Sequence, residues 1–170
     1  MTAVDVDVVR LRWWHLPQVS ALDVEAFGVD AWPGRTWWTE AARPDRHLVV
    51  AVPVDGGQVD DGPDARVLGA AVLSLAPPDA DVQTLAVAAA ARGRGVGRLL
   101  LQDLLSAARR VGARRVHLEV AADGAAARGL YASAGFREVR TRRGYYGTDA
   151  DGRRRDGLDL LLDPLPGVSA

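Results

Sequence analysis

The sequence predicts an α/β domain built on one sheet of mixed strand directions. Three observations predict it. Valine- and leucine-rich runs of strand length are interleaved with stretches of helical spacing. One of these runs leads into a glycine loop that opens at once into an amphipathic helix. No linker, repeat or low-complexity stretch divides the 170 residues, a length that fits one domain with its own core.

The elements follow in order. Val4 to Arg12 sets valine against aspartate at near-alternating positions, as a half-buried strand requires. Pro17 then opens a helix with Val19, Leu22 and Ala26 at helical spacing. Phe27 to Gly34 is turn chemistry loaded with aromatics, and Thr36 is placed to cap a short helix carrying Trp37, Trp38 and Ala41. This segment reads as a lid or substrate wall, with core tryptophans as the plainer account. His47 to Val54 and Ala65 to Leu75 are β-rich runs, expected to form a hairpin around a long polar turn over 55–64. The aspartates of that turn lack the spacing of an EF-hand loop, so it is read as solvated.

Asp81 to Val87 is a further strand after the Pro77-Pro78 break. Between Val96 and Val111, apolar Val96, Leu100, Leu104, Ala108 and Val111 recur opposite Arg98, Gln102, Ser106 and Arg109, which is an amphipathic helix ended by Gly112. Arg115 to Val120 is a strand that turns Val116, Leu118 and Val120 one way and His117 and Glu119 the other. Asp123 is expected to cap a helix through Ala134, with a strand from Phe136 to Thr141 after it. A last strand, Gly157 to Leu162, follows a polar turn that begins at Asp149.

Composition removes several chemistries. Without cysteine there is no disulfide, thiolate metal site or thiol nucleophile. All 21 basic residues are arginine, and a net charge of -1 supplies no global attraction to nucleic acid. Met1 to Asp5 lacks a basic and apolar leader pattern, and no run approaches the ~18 apolar residues of a membrane span. The expectation is a cytoplasmic protein, a monomer or weak homodimer, with no membrane, metal or direct nucleic-acid partner.

The loop Arg92-Gly93-Arg94-Gly95-Val96-Gly97, between a strand and a helix, is an anion site by construction. Glycines let the backbone approach, and free N–H groups at the helix start face the ligand. A pyrophosphate fits. A P-loop would need a lysine, which the chain lacks, and the dinucleotide fingerprint would need glycine one residue after Gly97, where Arg98 stands.

With Leu85-Ala86-Val87 before this loop, and Ala125 to Tyr131 and Gly135-Phe136 after it, the sequence resembles the GNAT acetyltransferase superfamily over nearly its whole length. Leu118-Glu119-Val120, Leu130-Tyr131 and Arg142-Arg143-Gly144-Tyr145-Tyr146 resemble the branch that acetylates the N-terminal amine of a ribosomal protein. The resemblance implies a mostly antiparallel sheet of about seven strands, splayed between the fourth and fifth, with about four flanking helices. It implies acetyl-CoA as cofactor. The backbone of Leu85, Ala86 and Val87 would hold pantetheine, and the loop from Arg92 to Arg98 the pyrophosphate, with Asp123 and Ala127 near the cofactor. Glu119 would be the general base and Tyr131 the general acid for the thiolate.

The chemistry agrees with those roles, since an ammonium must lose a proton before it attacks a thioester. The alternative for Glu119 is an ion pair with Arg115 or His117, and for Tyr131 a core position. Phe27, Trp32, Tyr145 and Tyr146 are expected around the acceptor, a protein or peptide N-terminus. The arginines at 140, 142, 143 and 153–155 are read as a solvated face or a surface for an acidic or ribosomal target. Gly124 departs from the branch's usual asparagine, which contacts the cofactor. A small amine or lysine side chain as acceptor, or a CoA-binding module without turnover, remain open alternatives.

Overall fold

The structure, a computed structural model, describes residues 5–148 and 151–167. Met1 to Val4 and Asp149 therefore lie outside the described residues. Seven strands form the main path of the sheet: β1 (Asp5–Arg10), β2 (Arg46–Asp55), β4 (Gly69–Ala76), β5 (Asp79–Val87), β6 (Arg115–Ala121), β7 (Arg137–Arg142) and β8 (Gly157–Leu162). Their spatial order is β1-β2-β4-β5-β6-β8-β7, and two-residue β3 (Gln58–Val59) pairs with β2 off that path. Every pairing is antiparallel except β5 with β6. Four α-helices flank the sheet: α1 (Leu16–Phe27), α2 (Gly34–Ala41), α3 (Val96–Arg110) and α4 (Ala125–Ser133).

The fold is a three-layer arrangement at one end and two layers at the other. On one face α3 and α4 cover the sheet, with Leu100, Leu104, Val116, Leu118, Tyr131 and Leu160 in a single apolar cluster. Each fully buried leucine in it contributes about 1.5–3 kcal/mol. On the other face α1 and α2 set Val19, Leu22 and Trp37 against Val50, Val52 and Val72. Strands β2 and β4 are covered on both faces and are accordingly apolar throughout their centres. From the start of β5 onward the second face carries Asp81, His117, Glu119 and Asp159 instead. That charged end of the sheet is where the site forms.

The structure departs from the sequence reading at several elements. The 55–64 turn is not one loop: Gly56 and Gly57, at φ +55 and +81, make a two-residue turn that returns Gln58–Val59 to β2. Ala65 to Leu68 is a buried arm outside the β4 ladder, clipped by Gln18, which donates to the Ala65 carbonyl (2.8 Å) and accepts from the Val67 N–H (3.1 Å). Thr36 does not cap α2. The helix begins two residues earlier behind Pro33, whose carbonyl takes the Thr36 N–H at 2.8 Å. Asp123 does not cap α4 either, because Gly124 holds the N-cap position without a side-chain bond. Val111, past the end of α3, is exposed.

Candidate active site

The site begins with a fork in the sheet. β5 and β6 run parallel and pair from Asp79↔Arg115 to Val82↔Leu118, and there the ladder ends. Gln83 is an extra residue in β5, since Val72 pairs with Thr84 and Leu73 with Val82. Such a bulge reverses the side-chain parity of the strand. Ala80 and Val82 face α3, yet four residues after Val82 it is Ala86 that lies on the α1 side. The bond from the Ala88 N–H to the Leu68 carbonyl (2.9 Å) sets the phase beyond the bulge. In an antiparallel ladder the pairs alternate, so Ala86 commits its backbone to β4 while Leu85 and Val87 turn theirs toward the gap left by β6. The backbone of Ala86 is thus turned to β4 and away from that gap.

Above the fork lies a cleft of about 570 Å³. It gathers Phe27, Trp32, Leu85, Glu119, Asp123, Ala127, Tyr131, Tyr145 and Tyr146, expected at the site from sequence, into one cavity. Its lining also includes Gly124, which stands at the branch's cofactor-contacting position, and Asp23, Asp30, Asp81 and Arg155, which the sequence reading had not placed there.

Glu119 points to the cleft face, as the alternation of β6 required. Its partner is neither Arg115 nor His117. Both of those are engaged with Asp79, at 2.9 Å each, and Arg142 instead stands 2.7 Å from Glu119 Oε1. The Tyr145 hydroxyl donates to the same carboxylate, which raises its pKa, and its ring lies 4.8 Å from the Arg142 guanidinium carbon. Asp81 stands at the crotch of the fork. Solvent reaches it through the cleft, yet the surrounding protein pushes its carboxyl from the ordinary 3.8 to about 6, with Glu119 adding repulsion and His117 opposing it.

Tyr131 is buried, its ring edge-on to Phe136 at 5.8 Å. Burial, and then the neighbouring Tyr146, push its phenol up to about 12. Tyr146 itself rises to about 12, chiefly through burial. The Trp32 wall of the cleft is held from beneath by Asp23, 1% exposed on α1, which accepts the Trp32 N–H at 2.6 Å. Burial raises its carboxyl, while the hydrogen bond from the Trp32 N–H acts against that rise. Trp32 packs on buried Trp37 with ring centroids 5.0 Å apart.

The loop of Arg92 to Arg98 stands beside the cleft at the start of α3. Gly95 is the N-cap at φ +84, a left-handed conformation that suits glycine. The first helical bond runs from the Leu99 N–H to the Gly95 carbonyl at 3.1 Å, so the N–H groups of Val96, Gly97 and Arg98 lie ahead of it at the helix end. No acidic residue occupies the first turn, and Arg94 and Arg98 are exposed. Val96 is buried in the core and offers only its backbone. Gly97 is small for packing, since a Cβ there would come within 3.3 Å of Leu130 Cδ2 on α4. Arg92 turns back and donates from Nε to the Val87 carbonyl at 3.0 Å, leaving Leu85 with the free carbonyl. An anion cradle beside a fork with unspent backbone groups fits a pyrophosphate joined to a pantetheine arm.

The acetyltransferase (GNAT) family matches residues 9–136, and the chain belongs to that family. It is an acetyl-CoA-dependent N-acetyltransferase. Within the family it is 39% identical over 145 residues to the N-alpha-acetyltransferase RimI of Mycobacterium tuberculosis, covering 82% of this chain and 85% of that relative. It is 38% identical over 103 residues to the ribosomal protein bS18 alanine N-acetyltransferase of Salmonella typhimurium, covering 61% and 66%. The crystal structure of the corresponding Escherichia coli enzyme superposes with a TM-score of 0.78 at 25% identity, over 97% of this chain and 95% of that one. Arabidopsis thaliana NAA60 with a bisubstrate analogue reaches the same TM-score at 17% identity, over 93% and 97%, and shows the shared fold.

Proposed function

We propose that the protein moves the acetyl group of acetyl-CoA to the N-terminal α-amine of a protein, with a ribosomal protein in the cytoplasm as the acceptor. The observation that carries this reading is the joint placement of Glu119, Asp81, Tyr131 and Tyr146 around one cleft that borders the α3 loop. The similarity to enzymes named for N-alpha and ribosomal-protein alanine acetylation supports the acceptor class.

The thioester supplies an acyl carbon already activated toward amines. Leu85 and Val87 would hold the pantetheine arm along the fork, and the N–H groups of 96–98 the pyrophosphate, with Arg94 and Arg98 beside it. Glu119, oriented by Arg142 and Tyr145, takes the proton from the incoming ammonium directly or through water, leaving the nitrogen lone pair free to form the amide bond. Asp81 lies close enough in charge to share that task. As the C–S bond breaks, Tyr131 donates a hydrogen bond to the departing sulfur. A thiol of ordinary pKa about 8.5 does not fully strip a phenol held at about 12, so Tyr131 acts mainly by stabilising that charge. Gly124 supplies no side chain to the cofactor, and a Cβ there would meet the Ala121 carbonyl at 3.1 Å. Orientation of amine and carbonyl supplies most of the remaining rate.

The test is turnover of acetyl-CoA against peptides with free N-termini, lysine peptides with blocked N-termini, and small amines. The reading expects the free N-termini to be acetylated with the highest kcat/KM. Activity confined to small amines or lysine side chains would overturn it.

A further inference from the structure

Arg155 occupies an unusual place. Among the residues lining the cleft it is the cation, set against the carboxylates of Asp23, Asp30, Asp81, Glu119 and Asp123. Its guanidinium pairs through Nη2 with Asp30, which follows α1, and lies 3.7 Å from Asp123, which precedes α4. The same group stands 5.6 Å from the ring centroid of Tyr146. The backbone repeats the connection: the Tyr146 N–H donates to the Arg155 carbonyl at 3.0 Å, and the Arg155 N–H to the Gly147 carbonyl at 3.3 Å. Asp30 closes the loop by accepting the Gly147 N–H at 3.1 Å. Three segments, two of them 125 residues apart, are therefore tied at the mouth of the cleft through one side chain.

We infer that Arg155 is a positioning residue for the acceptor: a strap that holds Tyr146 and Gly147 against Asp30 and so sets where Tyr146 stands in the cleft. This rests on reading the cleft as the acceptor site. The Arg155 and Asp30 side chains are 27% and 22% exposed, so solvent weakens the pair and its value to global stability is small. Its value to geometry is larger. Tyr146 is the neighbour that acts on the Tyr131 phenol, so a drift of Tyr146 moves one wall of the cleft away from Tyr131. The α3 loop makes none of these contacts, so the pyrophosphate cradle is spared, and Asp123, the partner expected nearest the cofactor, is held only at the longer distance of 3.7 Å.

The experiment compares Arg155→Met, which keeps length over Tyr146 but loses the charge, with Arg155→Lys and Asp30→Asn. Each is assayed with the amine the wild-type enzyme turns over best in the panel above, so that a wrong acceptor class leaves the strap measurable. Expected is a fall of about tenfold or more in kcat/KM for the acceptor in Arg155→Met, with acetyl-CoA Kd within twofold of wild type. Arg155→Lys restores part of it, because an ammonium cannot span both carboxylates. Hydrogen exchange gives a readout independent of turnover: faster exchange at the Tyr146 and Gly147 amides, and none at 99–101 in α3. Unchanged acceptor kinetics and exchange in both Arg155→Met and Asp30→Asn overturn the inference. So does an equal loss of acetyl-CoA affinity. Should Arg155→Met fail to fold, Asp30→Asn decides alone, since it can still accept the Gly147 N–H.

Discussion

Arg142 reaches across an intervening strand to Glu119. β8 lies between β6 and β7, and in its register Glu119 faces Asp159 while Arg142 faces Gly157. The guanidinium spans that gap, 3.0 Å from Asp159 and 2.7 Å from Glu119. A single arginine thus fixes the direction of the proposed base and neutralises the carboxylate beside it.

Replacing Glu119 by Gln keeps the shape and the Tyr145 contact but removes the proton acceptor. The expected result is a fall in kcat of roughly 10²-fold or more, in the range general bases contribute, with acetyl-CoA Kd unchanged. Steady-state kinetics beside calorimetric titration of acetyl-CoA measures both. Full activity in Glu119→Gln would assign the proton to Asp81.

Asp81 carries a pH signature with a definite sign. Its folded value of about 6 lies above the ordinary 3.8, so between these values the folded chain holds a proton that the unfolded chain has released. The ionised carboxyl therefore costs stability above about pH 6, and the cost fades as pH falls toward 3.8. Solvent in the cleft keeps it modest. Asp81→Asn is expected to melt slightly higher than wild type at pH 7, with the difference closing on acidification. Thermal melts across that window check it, and a difference that grows toward low pH would contradict the assignment.

Tyr131→Phe retains the ring packed on Phe136 and removes the hydroxyl alone. A tenfold to hundredfold loss in kcat is expected, roughly the worth of one hydrogen bond to developing charge. The melting temperature should hold, because the lost group is one that burial disfavours. Loss of stability without loss of kcat would return Tyr131 to a core role.

At Gly95 a methyl group meets nothing within 4 Å, so Gly95→Ala acts only through φ +84. The left-handed conformation costs a non-glycine residue about 1–2 kcal/mol, a drop of roughly 2–8 °C in Tm for a chain of this size. Relaxing that strain would turn the first N–H groups of α3 away from the pyrophosphate. The acetyl-CoA KM should rise several-fold while kcat at saturating cofactor stays near wild type, which an acetyl-CoA titration at fixed acceptor reads directly.

Local structure was legible in the chain before any fold was known. The periodicity from Val96 to Ala108 is a helix wherever it packs, the glycines before it leave the helix start open to an anion, and strict alternation in Arg115 to Val120 sends Glu119 away from the leucines. These are properties of neighbouring residues, and it was the resemblance of the motifs they form that indicated the family and its cofactor. The tertiary structure decided the partners. That Asp79 takes both Arg115 and His117, that Arg142 crosses β8, and that Asp81 sits at a fork depend on strand order and on one bulge at Gln83. Capping at Thr36 and Asp123 failed for a related reason: any serine, threonine or aspartate can cap, and the chain's path into the helix selects whether it does. Charges pair by distance in space, and from Asp30 to Arg155 that distance closes only when the sheet has assembled between them.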